Sequence, residues 1–127
     1  MKVNKTVLGL TIALSLSHPL AKATSSEEFL MRNAQDLTGV CSTPSSDPLY
    51  TAAINFCEGY IEGAYHYYSA MLGPGIKPFV CLPKPEPTRD EVTRRFVAWS
   101  QAHPQHSGEP AVETLFKFAE ETWPCGG

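Results

Sequence analysis

Side chains able to do chemistry concentrate in two stretches. One is Cys57-Glu58-Gly59-Tyr60-Ile61-Glu62-Gly63, followed at once by Tyr65, His66, Tyr67 and Tyr68. The other is His103-Pro104-Gln105-His106, with Glu109 three residues further on. Glu58 and Glu62 are four apart, so a helix puts them on one face, where a pair of carboxylates can divide acid and base work. Nothing nearby in sequence would drive their pKa values apart. A solvated face and an acidic stripe against a protein partner are the competing readings. His66, His103 and His106 are of metal-ligand type, but Pro104 lies between the last two and no acidic-histidine zinc motif accompanies them. There is no Gly-x-Ser-x-Gly nucleophile motif. The sequence therefore predicts a protein that is not an enzyme and has no metal or cofactor.

The four cysteines, Cys41, Cys57, Cys81 and Cys125, are an even set with gaps of 16, 24 and 44 residues. Metal-binding cysteines usually sit two to four residues apart, so two disulfides are expected, with three pairings open. Gly59 and Gly63 also fall on one helix face. Each glycine costs about 1 kcal/mol of helix propensity against alanine, and a seam where another helix approaches closely would offset that cost.

The elements that must position these groups follow from punctuation and period. Lys2 and Lys5, the apolar run Val7 to Leu16, and Ala21-Lys22-Ala23 have the three parts of a secretory signal peptide. Cleavage after Ala23 is expected, which leaves residues 24–127 as one domain. Lys2, Lys5 and Lys22 go with the leader, so seven basic residues remain against 13 acidic ones, a net charge of about −6. Such a surface repels nucleic acid and suits an exported protein with a more basic partner. No second apolar run is long enough to span a bilayer. Four helices are read and no strand. The first runs over 26–38 and ends at Gly39. The second begins at Asp47-Pro48, reaches Leu72, and is the longest and central element. The third is opened by a capping box at Thr88-Arg89-Asp90-Glu91 and broken by His103-Pro104. The fourth is opened by Pro110 and closed by Pro124-Cys125. Five prolines between residues 73 and 87 exclude helix there.

Taken in order, a signal peptide, Cys57-Glu58-Gly59-Tyr60-Ile61-Glu62-Gly63, Cys81-Leu82-Pro83, a helix opened by Thr88, His103-Pro104 and Trp123-Pro124-Cys125 resemble the Rap/Tai immunity family. These are periplasmic antidotes to peptidoglycan amidase effectors delivered by type VI secretion. The resemblance spans about Phe29 to Cys125. It implies a compact all-α four-helix domain, stapled by two disulfides and often dimeric, which blocks an amidase by occupying its substrate groove. Beside it we favour the pairing Cys41–Cys57 and Cys81–Cys125. Reach permits the first bridge, since the loop after Cys41 can run back the roughly 15 Å to Cys57. The expected contact surface is the loop with His103, Gln105, His106 and Glu109, helped by Glu58, Glu62 or exposed tyrosines. A small periplasmic stress chaperone, exposing apolar surface when acid neutralises its carboxylates, is the alternative reading.

Overall fold

The computed structural model describes residues 23–126, so the expected signal peptide, residues 1–23, lies outside the described residues apart from Ala23. Thr24 is tied to the body: its N–H donates to Asp47 Oδ2 (3.0 Å), and its hydroxyl shares a hydrogen bond with that of Thr43 (2.7 Å).

Where one helix over 26–38 is expected, the chain makes two elements. A short 3-10 helix, Ser26–Leu30, ends at Met31 in the left-handed region (φ 50°). Helix α1, Ala34–Cys41, then starts afresh because Asn33 supplies a second cap, its side chain accepting the N–H of Asp36 (3.0 Å). Asp36, buried, takes both the backbone N–H and the Nε of Arg32 at 3.0 Å, which holds the guanidinium pKa above its ordinary value. Gly39 lies inside this helix and does not end it. Its lack of a side chain leaves room for Glu28, whose Cδ would come within 2.9 Å of any Cβ there. Glu28 in turn accepts from Ser25 N–H (3.3 Å).

Helix α2, Tyr50–Met71, begins after the expected Asp47-Pro48. Asp47 bonds Leu49 N–H through its carboxylate (2.8 Å) and Tyr50 N–H through its carbonyl (2.9 Å), which makes a turn ahead of the helix. The proline-rich connection is then held by three devices. The Tyr68 hydroxyl accepts from Phe79 N–H (2.8 Å) and Val80 N–H (3.1 Å). Val80 pairs with Pro124 in an isolated antiparallel bridge, and Cys81 N–H donates to Trp123 C=O (2.9 Å). Cys81–Cys125 closes the same junction. Helix α3, Arg89–Ala102, is capped by Thr88, whose hydroxyl accepts Glu91 N–H (3.2 Å). The other half of the expected box is missing, because the Glu91 carboxylate turns to Arg95 (2.8 Å). Helix α4, Ala111–Thr122, follows Pro110.

The hub is α1, not the longest helix. Its eight residues pack against α2, α3 and α4, with Leu37 and Val40 fully buried. Helix α2, with 22 residues, buries only Ala53, Cys57 and Tyr68. A short helix of small and branched residues can be surrounded, whereas a long one on the outside keeps one face in solvent. Cys41–Cys57 joins the end of α1 to the middle of α2, with Cα atoms 5.1 Å apart. Phe96 and Phe118 complete the core, edge to face at 5.6 Å.

Candidate functional site: the two ends of helix α3

The 14 residues of α3 separate the two candidate regions, a length of roughly 21 Å. The fold does not unite them. His103, Gln105, His106 and Glu109 gather at the C-terminal end of α3. Glu58 and Glu62 lie by its N-terminal end.

The loop end is a closed network. Pro104–His106 form a 3-10 turn. The carbonyls of Ser107 and Glu109 accept the N–H groups of Gln35 (2.9 Å) and Ala34 (2.8 Å), serving amides that the first turn of α1 leaves open. Trp99 is the platform. The His103 ring stacks on it at 4.3 Å and the His106 ring at 5.7 Å, and its indole N–H donates to Glu121 (2.7 Å). His103 Nδ1 sits 2.7 Å from the Trp99 carbonyl, so Nδ1 carries a proton and donates it. Glu109 receives Lys117 on one oxygen and His106 Nδ1 on the other (2.9 Å). Those two hydrogen bonds, Lys117's the larger, hold the Glu109 carboxyl below its ordinary value of 4.5. Among the described residues no group of three histidines, cysteines or carboxylates is placed to hold a metal ion. Gln105 is exposed and its side chain makes no hydrogen bond among the described residues.

The other end is a hollow. A cavity of about 340 Å³ opens between α2, the proline-rich connection, the start of α3, and α4. Its apolar walls include Ile61, Val80, Leu82, Val92, Leu115 and Ala119. Its rim carries Glu58, Glu62, Glu86 and Arg89. Glu62 is engaged, with Arg89 Nε at 3.3 Å and His66 Nε2 at 3.2 Å. Glu58 and Glu86 have no ion-pair partner among the described residues. The expected carboxylate stripe therefore belongs to a cavity mouth. Sequence reading did not find the cavity, although residues 58, 61, 62 and 65 share one helix face and pointed to a common surface.

The seam expected at Gly59 and Gly63 is not present among the described residues. Both glycines are exposed, and a Cβ on either would meet nothing within 4 Å. The tyrosines divide by direction: Tyr68 is buried, Tyr65 lines the cavity, and Tyr67 is 70% exposed on the outer face. Burial of Tyr60 raises its pKa above the ordinary 10.0.

Compared with known families, the chain matches the model of the Rap1a immunity proteins over residues 33–125. The chain belongs to the Rap1a immunity protein family. No curated protein and no solved structure matches it. The Rap1a match begins at Asn33, the cap of α1, and ends at Cys125, the last bridged cysteine. It covers the hub helix, both bridges and both ends of α3. A protein of the Rap1a family implies a protein effector as partner.

Proposed function

We propose that this protein is a periplasmic immunity protein that binds and blocks a peptidoglycan amidase delivered by type VI secretion, with no catalysis of its own. The observation that carries the reading is the family match from the α1 cap to Cys125. Three further features support it. The N-terminal segment has the pattern of a secretory signal peptide, the chain is acidic once that segment is removed, and the four cysteines are paired. The exported form runs from Thr24, and a homodimer belongs to the same reading. Blocking works by occupation: a rigid loop placed in the amidase's substrate groove excludes the peptide. The loop from His103 to Glu109 is built for this, since Trp99 and the α1 amides pre-organise it and binding then costs little ordering entropy.

Capture from periplasmic and secreted fractions with the oxidised exported chain tests the reading. Recovery of one amidase, whose hydrolysis of purified peptidoglycan falls to zero at equimolar protein, is the expected result. An amidase that keeps its full rate, or no amidase recovered, overturns it. Gln105→Trp tests the loop as the contact, because it adds bulk without touching the Trp99 platform. Unchanged inhibition by that variant would move the contact elsewhere. Sedimentation of the same chain tests the homodimer.

A further inference from the structure

We infer that the cavity between α2, α4 and the N-terminal end of α3 is a second anchoring site for the protein partner, and that it accepts a large apolar side chain flanked by lysine or arginine. The inference rests on the immunity reading only for who the partner is. The chemistry of the occupant comes from the cavity itself. Its volume of about 340 Å³ is more than twice the roughly 150 Å³ that suffices to admit benzene. Its walls are aliphatic and aromatic, so an apolar side chain leaving water is the favoured content. Its mouth selects by charge. Among the described residues that line it, Glu58, Glu62 and Glu86 stand against Arg89 and the His66 imidazole, and both of those already pair with Glu62. Two carboxylates are left over. A fatty acid or another anionic amphiphile would bring like charge to that rim, whereas a basic neighbour of the anchoring residue would neutralise it.

The cavity also stands ready. The wall formed by Val80 and Leu82 is restrained against folding inward by Cys81–Cys125, the Val80–Pro124 bridge and the Tyr68 hydroxyl. The facing wall is α2, fixed by Cys41–Cys57 one residue before Glu58. A cavity that keeps its shape when empty loses less of the binding energy to reorganisation.

The test is a nuclear magnetic resonance titration of the oxidised protein with three capped tripeptides, Lys-Trp-Lys, Glu-Trp-Glu and Lys-Ala-Lys. Lys-Trp-Lys is expected to shift resonances of Ile61, Leu82, Leu115 and Ala119. Glu-Trp-Glu is expected to bind at least fivefold more weakly, and Lys-Ala-Lys not measurably. Glu58→Lys, a change at the rim that leaves the core alone, should weaken Lys-Trp-Lys at least threefold without altering thermal unfolding. Ala119→Leu should abolish binding by filling the floor; if that variant unfolds, Glu58→Lys decides alone. No shifts, shifts confined to the 103–109 loop, or equal binding of the basic and acidic peptides would each overturn the proposal. The titration contains no effector. Its failure would leave the immunity reading standing, and a failure to capture an amidase would leave the titration result standing.

Discussion

The two ends of α3 look alike in sequence and differ in what their polar groups do. At the loop end His103, His106 and Glu109 all have partners inside the fold, and the backbone carbonyls there hold the start of α1. At the cavity end Glu58 and Glu86 have no ion-pair partner among the described residues, and apolar walls line the hollow. Clustered histidines with a carboxylate are the feature a search for chemistry would select first, yet here their bonds go to stiffening the loop that carries them. The end with fewer conspicuous residues keeps two carboxylates that no cation among the described residues matches.

The comparison can be broken most forcefully at the covalent wall. Replacing Cys81 and Cys125 together by serine reopens a loop of 44 residues; the expected loss is about 4 kcal/mol of unfolding free energy, read by denaturant titration. The peptide titration should lose its Leu82 shifts in the same variant under conditions where it remains folded. At the other end, Trp99→Ala removes the platform for both imidazoles and a contact with Phe118 (6.1 Å between rings). We expect a loss of about 3 kcal/mol, with binding to the cavity retained. If the Trp99 change abolished cavity binding, the two ends would not be independent.

Smaller effects sharpen the contrast. Gly59→Ala and Gly63→Ala should each stabilise the protein by about 0.5–1 kcal/mol in thermal or chemical unfolding, since both sites are helical with open space where the methyl would go. Destabilisation by either would show that something packs there in solution, a second copy of the chain included. The smallest effect is on pH dependence. Glu109 is held below its ordinary pKa of 4.5, by Lys117 first and His106 second. Its contribution is therefore present at pH values above the unfolded pKa and is lost as pH falls through the lower folded value. Glu109→Gln should flatten the acid limb of the stability curve there and leave the neutral region nearly parallel to that of the parent protein.

Much of the fold was legible because its signals are local. The Thr88 cap and the prolines at helix entries act within a few residues, and three of the four helices fall near their expected places. The first helix was misread because Leu30, Ala34 and Leu37 keep a helical period across the break at Met31, and only the Asn33–Asp36 cap marks it. The central role given to α2 failed for a related reason. Length is visible in sequence, but which helix is surrounded depends on how all four pack. The site was legible only in parts. Glu58 and Glu62 were visible as a pair, while the cavity behind them is built from four segments, residues 58–66, 80–93, 115–119 and 123, that no local pattern joins. Gly59 and Gly63 were assigned a contact because their cost in the helix is visible in sequence and the empty space beside them is not.

The hydrogen bond from Thr24 N–H to Asp47 has a consequence for maturation. In the full chain that nitrogen is a neutral amide. Cutting after Ala23 would turn it into an ammonium already 3.0 Å from a carboxylate oxygen, and a charge-assisted bond is roughly twice as strong as a neutral one. With a cut at that bond, the folded body would favour the chain that begins at Thr24 over the uncut one, and proteolysis and folding would be thermodynamically linked. A chain that retains even Ala23 should melt at a lower temperature than one beginning at Thr24, and Asp47→Asn should erase most of that difference.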